Sequence, residues 1–306
     1  NGSILAQDAI RFKCENQNVI FCGIDGTGTR AWLTNPLYAH RDPSTPSTPW
    51  NSHVRNLYDD INVKYSGYFF GPENEEIASD SDDIHDEVLR WVQSMHAASN
   101  KTAKIVLVGF SRGAMIAQWV ANDISKDHID VEFVGLYDPV DMAASIPDEN
   151  GCIEPNVKNV MIVGPVSFTG QPLFNPDYWT SDFDSISTTN GPFIRMSMYG
   201  RLTTSSGATT VVDRFELNAS HGAIGGLPGY NDQSENTVDA RTDAECTIEN
   251  MFARKYTTSY SYSLDIASSF HADYRMRTKC VDLGIYIRVL EFDDYRFPST
   301  NPVYSP

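Results

Sequence analysis

Residues 104–114 read KIVLVGFSRGA. Ile105 to Val108 form an unbroken apolar run, the pattern of a strand buried on both faces. Beyond Gly113 the spacing becomes helical, with Ala114, Ala117, Ala121 and Ile124 at intervals of three or four. Between strand and helix, Gly109-Phe110-Ser111-Arg112-Gly113 matches G-x-S-x-G, a weak signal by itself. The setting gives it weight, because a serine offered to substrate at a nucleophile elbow needs a strand running straight into a helix and small residues around a strained turn. Gly109, Gly113 and Ala114 supply those residues. The helix start beneath the serine directs N–H groups and the positive dipole end at a developing oxyanion, and the backbone N–H of Arg112 is one such donor. The competing reading is that Ser111 only caps the helix. The Arg112 side chain reads as half of a structural ion pair, with contact to an anionic substrate group as the alternative.

Outward from this point the chain alternates strand and helix. Upstream, Val19 to Ile24 reads as a buried strand stopped by DGTGTR, residues 25–30, and residues 82–98 place Ile84, Val88, Trp91, Val92 and Met95 on one helical face. The acidic run over 73–87 reads as the solvated start of that helix, since it lacks the Gly and terminal Glu spacing of a calcium loop. Downstream, 131–137 is the next strand, which completes a βαβ unit. Further strands are expected at 157–163, 193–200 and 210–217, helices near 238–254 and 262–277, and a last strand over GIYIRVLEF, 284–292. The Pro/Ser/Thr-rich stretch 31–56 and the aromatic-rich stretch 164–192 read as loop or lid-like insertions. The expectation is one domain over 1–306: an α/β protein of the α/β-hydrolase fold, with a mostly parallel sheet and helices on both faces.

In that fold an Asp or Glu and then a His follow the serine along the chain. Asp138 closes the strand VEFVGLYDPV, 131–140, at the same sheet edge as Ser111. A carboxylate there fixes the tautomer of the base and stabilises its imidazolium. Asp141 is the rival acid. Of the seven histidines, His221 follows the acid inside NASHGAIGGLPGY, 218–230, whose glycines can thread an imidazole over the sheet edge. His271, in a helical stretch, is the weaker base.

Three stretches, FCGIDGTGTR (21–30), GFSRGA (109–114) with FVGLYDPV (133–140), and SHGAIGG (220–226), together resemble the α/β-hydrolase family of type VI secretion phospholipase effectors and their uncharacterised relatives. The resemblance implies Ser111 as nucleophile, Asp138 as acid and His221 as base. It also implies that Asp25-Gly26-Thr27 lies beside the serine, with Gly26 and Thr27 joining Arg112 in the oxyanion hole. The chain departs from the family pattern at Ala223, where that family carries Asp, and at Pro139, where it carries Thr.

At 306 residues, 41% of them hydrophobic, the chain can bury a large core. A net charge of −17 repels phosphate backbones, so no nucleic-acid partner is expected. No run of about 18 apolar residues is present to span a bilayer, and the N-terminal residues lack the layout of a signal peptide; localisation is left open, delivery or secretion included. Cys14, Cys22, Cys152, Cys246 and Cys280 show no zinc spacing. No metal and no cofactor are expected. The function expected is a serine ester hydrolase working through an acyl-enzyme, a phospholipase or lipase by the resemblance. The alternatives are a carboxylesterase or carbohydrate esterase on a soluble substrate, or a catalytically silent hydrolase fold used for binding. The expected partner is an ester or phospholipid substrate, with transient membrane contact in the second case. For an effector, an immunity or delivery protein follows as well.

Overall fold

Apolar runs too long to alternate must be covered on both sides, and in this chain they line up as the centre of a parallel sheet. The computed structural model describes residues 17–27, 52–72, 79–142, 151–165, 195–197, 202–217, 221–226 and 259–289. The strands in chain order are β1 (Val19–Ile24), β2 (Tyr65–Phe69), β3 (Lys104–Phe110), β4 (Phe133–Tyr137), β5 (Val140–Met142), β6 (Cys152–Ile153), β7 (Asn159–Pro165), β8 (Arg195–Ser197), β9 (Thr203–Thr204) and β10 (Val211–Leu217). The helices are α1 (His53–Asp60), α2 (Ser79–Ala98), α3 (Arg112–Asp123), α4 (His221–Ile224) and α5 (Ser259–Asp282).

Six strands form the main sheet in the order β10-β7-β4-β3-β1-β2, every neighbouring pair parallel. Successive side chains of each strand point to opposite faces. On one face Ile20, Cys22, Ile105, Leu107 and Val134 meet α2 and α3; on the other Phe21, Val106, Val108, Phe133 and Met161 meet α1, α4 and α5. Each fully buried Ile, Leu, Val or Phe stabilises the fold by about 1.5–3 kcal/mol. Ala114, Ala117 and Ala121 are fully buried, and their small side chains let α3 lie close on the sheet. The fold read from the sequence, a parallel α/β sheet covered on both faces and turning from strand to helix at a serine elbow, is the one observed.

The strand order reverses between β1 and β3. In open α/β sheets, ligands bind outside the carboxyl ends of the strands at such a reversal. Ile24 pairs with Gly109 and Phe110 with Tyr137, so the segments carrying Asp25, Ser111 and Asp138 leave the sheet side by side.

Several elements differ from the sequence reading. The end of the 31–56 stretch is helical from His53, and β2 follows it as an edge strand; neither α1 nor β2 was expected. The 193–200 segment supplies β8, which pairs antiparallel with β5 outside the main sheet. The strand expected over 284–292 is not formed as far as Val289. Ile285 and Ile287 are buried and Tyr286 is exposed, so the alternation is real. The segment lies beside the end of α1, however, where among the described residues it forms an isolated bridge from Ile287 to Ile61 rather than a strand. The helix near 238–254 and nearly all of the 164–192 stretch lie outside the described residues, as do 28–51.

Candidate active site

The centre of the site is the turn from β3 into α3. Ser111 adopts φ 57, ψ −126, a region costly for a residue with a Cβ, and such strain persists only where the surroundings hold it. Here they do. The Ser111 N–H donates to the Tyr137 carbonyl at 2.9 Å, and the Ser111 carbonyl accepts from Ala114 and Val140 N–H groups at 3.1 Å each. The glycines of the motif are explained by close approach: a Cβ on Gly109 would strike the backbone of Gly113 and Ala114, and one on Gly113 the carbonyl of Asp25. The Ser111 side chain makes no capping bond to α3, which removes the capping alternative. The Arg112 side chain is fully buried and therefore does not line an open substrate surface.

Asp138 follows β4 with φ 39, and its N–H donates to the Val163 carbonyl at 2.7 Å. It is 3% exposed. The positive φ is a second backbone strain, one strand away from Ser111. The rival, Asp141, lies in β5, paired with Met196; the orientation of its side chain is outside the described residues.

His221 begins α4, four positions past the end of β10. That helix packs against α5 and β7. The segment it starts is pressed onto the elbow, since a Cβ on Gly225 would collide with the ring of Phe110, the residue before Ser111. The direction of the His221 side chain lies outside the described residues. His271 is exposed on α5, its ring 5.3 Å from that of Phe270.

On the other side of the serine, Asp25-Gly26-Thr27 leaves β1. A Cβ on Gly26 would stand 3.1 Å from the Ser111 Cβ, so this loop does lie beside the serine. The Gly26 N–H, expected in the oxyanion hole, is engaged by Asp25 Oδ1 at 2.9 Å.

Asp25 itself, at 1% exposed, is a residue whose role the sequence reading missed. Its Oδ2 accepts from Ser52 Oγ and, at 2.6 Å, from Tyr68 Oη. Burial raises its pKa above the usual carboxyl range, against the pull of those hydrogen bonds, the Gly26 N–H and the Arg55 charge. Burial, then the Asp25 carboxylate, push the Tyr68 phenol far up, so it stays a donor. The signal available in sequence was the Asp before Gly-Thr together with a Ser at a helix N-cap.

A second serine, histidine and aspartate meet between α1 and α5. His53 Nε2 is 3.1 Å from Ser269 Oγ, and Nδ1 is 3.9 Å from Asp273 Oδ1, the latter beyond hydrogen-bond range. Asp273 instead accepts from Arg277 Nε at 2.7 Å. Burial pushes the His53 pKa down; Asp273 opposes and Arg277 adds to the shift, and the net direction keeps the ring neutral. Among the described residues no group of three or more His, Cys, Asp or Glu is placed to hold a metal ion, and no helix is long and apolar enough to cross a membrane. An open cavity of about 810 Å³ lies at the opposite, amino-terminal edge of the sheet, lined by His96, Lys104 and Lys158 among others, away from the elbow.

No protein-family model and no curated protein sequence matches the chain. Among solved structures it is similar to an uncharacterized protein from Pseudomonas aeruginosa, with a TM-score of 0.42 and 13% identity over 94% of this chain and 48% of that one. The chain thus spans about half the length of that protein. It is also similar to RedJ, solved with a PEG molecule bound in its active site (TM-score 0.35, 9% identity, 74% of this chain and 90% of that one). A third is ESTFA in its iron-lacking apo form (TM-score 0.35, 13% identity, 78% and 76%).

Proposed function

We propose that this chain is a serine ester hydrolase with Ser111 as nucleophile, His221 as general base and Asp138 as the carboxylate that orients it. One observation carries the reading. Ser111 is held in a strained conformation between a parallel strand and a helix N-terminus, with its side chain not spent on capping that helix. Strain of about 1–3 kcal/mol retained at a single serine is hard to explain by packing alone.

In the proposed reaction Ser111 Oγ bonds to the ester carbonyl carbon as its proton passes to His221. The oxyanion rests on the N–H groups of Arg112 and Thr27. The carbonyl reforms, the ester C–O bond breaks, and the alcohol leaves with the proton from His221. Water then attacks the acyl-enzyme, giving its proton to His221, and Ser111 Oγ departs with that proton. No step calls on a cofactor. The resemblance in the three motif stretches favours a lipid ester, as in the phospholipase effectors of type VI secretion.

A panel of p-nitrophenyl esters of increasing chain length, run beside phospholipid vesicles, tests this. Wild-type turnover that rises with chain length, fatty-acid release from vesicles, and loss of both in Ser111→Ala is the expected result. Turnover confined to short esters moves the substrate to a soluble carboxylic ester. Turnover undiminished in Ser111→Ala overturns the assignment.

A further inference from the structure

The dipeptide Ser52-His53 reaches the Asp25 turn, the segment begun by His221 and the strand end that precedes Asp138. Ser52 Oγ donates to Asp25 Oδ2, and the other oxygen of that carboxylate fixes the Gly26 N–H. The His53 N–H donates to the Gly225 carbonyl at 2.8 Å, in the segment that begins at His221. The His53 ring packs 5.4 Å from Tyr137, whose carbonyl holds the Ser111 N–H and whose next neighbour is Asp138. Ser52 and His53 are 4% and 2% exposed. They are also the stiff end of a helix, because Ser52 Oγ caps α1 by accepting the Arg55 N–H at 3.1 Å.

We propose that Ser52 and His53 are positioning residues, a clip that sets the spacing of the oxyanion loop (Asp25 to Thr27) and the base segment (His221 to Gly226) on either side of Ser111. The inference rests on the hydrolase reading above. Without the Ser52 hydroxyl, the Asp25 carboxylate that holds the Gly26 N–H keeps only the Tyr68 donor on Oδ2 and loses its link to α1. Without the His53 N–H, the base segment loses a backbone hydrogen bond to α1. A displacement of about 1 Å in either part costs on the order of 10²-fold in rate.

His53→Pro cuts the second tie and also pushes its partner away, because the ring Cδ takes the place of an N–H that lies 2.8 Å from the Gly225 carbonyl. His53 is the first residue of α1, where proline is favoured, and Ser52 at φ −54, ψ 155 already has the extended conformation that a residue before proline prefers. His53→Ala removes the ring and keeps the N–H; His53→Pro removes both. Turnover per site titrated with a fluorophosphonate, and amide exchange of peptides covering 25–27 and 221–226, are measured for Ser52→Ala, Ser52→Thr, His53→Ala and His53→Pro.

The clip predicts faster exchange over 25–27 in Ser52→Ala and faster exchange over 221–226 in His53→Pro than in His53→Ala. It also predicts a fall in kcat per titrated site on the order of 10²-fold in Ser52→Ala and His53→Pro with KM unchanged, and recovery in Ser52→Thr. Unchanged exchange in both segments overturns the clip. So does activity that falls only as the number of titratable sites falls, the mark of simple unfolding. A wild type that neither takes the probe nor cleaves any ester fails the hydrolase reading instead, and the exchange comparison still decides whether the two segments are held from Ser52 and His53.

Discussion

At the carboxyl edge of the sheet, Ser111 stands on a backbone of φ 57 beside Asp138 at φ 39; between α1 and α5, Ser269 and His53 are already hydrogen-bonded with Asp273 next to them. By side-chain proximity alone the second group looks the better candidate. Everything else favours the first. Ser269 lies inside α5, where backbone N–H groups are taken up by the helix itself, so no donors are left for an oxyanion. Ser111 immediately precedes α3, whose first N–H groups have no intrahelical acceptor. Ser269, His53 and Asp273 are 1%, 2% and 0% exposed against 8% for Ser111 and 3% for Asp138, a small difference, and Asp273 serves Arg277 rather than the imidazole.

The largest difference expected between the two regions is in turnover. Ser111→Ala should reduce ester hydrolysis on the order of 10⁶-fold, as removal of the nucleophile does in a serine protease, whereas Ser269→Ala should leave turnover per folded molecule unchanged. Steady-state kinetics on both variants checks this, and comparable losses would erase the distinction.

Next in size is the acid. Asp138→Asn should cost on the order of 10⁴-fold by holding the imidazole in the wrong tautomer, and Asp141→Asn far less. Asp273→Asn should act on stability instead. Removing one partner of a buried ion pair destabilises by about 3–5 kcal/mol, toward the low end here because Arg277 keeps Asp60 at 2.8 Å. Urea unfolding read beside kcat separates the two kinds of loss.

A smaller effect has opposite sign in the two places. Ser111→Gly relieves the positive φ and should raise stability by about 1 kcal/mol while abolishing activity. Ser269→Gly, in a helix interior, should lower stability by about 1 kcal/mol. Thermal denaturation of the pair decides it.

The smallest expected effect is on pH. Burial lowers the pKa of His53 in the fold, so its contribution to stability is complete above the unfolded value of 6.5 and is lost as pH falls below it. Asp273, Arg277, Ser269 and Tyr137 face this ring. Stability of the wild type should therefore drop on acidification more than that of His53→Gln; Asp25, raised rather than lowered, acts equally in both proteins and cancels from the difference. Parallel curves for the two proteins would mean that His53 is not held neutral by its surroundings.

The sheet centre was legible because Val19 to Ile24 and Ile105 to Val108 are unbroken apolar runs, and the elbow because the Gly109-x-Ser111-x-Gly113 pattern sits where such a run turns into helical spacing. What was missed has physical causes too. β2 (YSGYF) is an edge strand, only partly buried, so its composition carries little apolar signal. α1 follows a proline-rich stretch, and its apolar periodicity, Val54 and Leu57 with Ile61 just past its end, is too short to stand out beside the stretch before it. The resemblance places Asp25 beside the serine, but its bonding is not legible in the sequence, because hydrogen bonds from Gly26, Ser52 and Tyr68, up to 43 positions away in the chain, cannot be read from spacing.

The most direct test of the central claim is where a fluorophosphonate attaches. The account predicts a single adduct, mapped by peptide sequencing to Ser111, with Ser269 unmodified and labelling abolished in Ser111→Ala. An adduct on Ser269, or wild-type labelling that survives in Ser111→Ala, would contradict it.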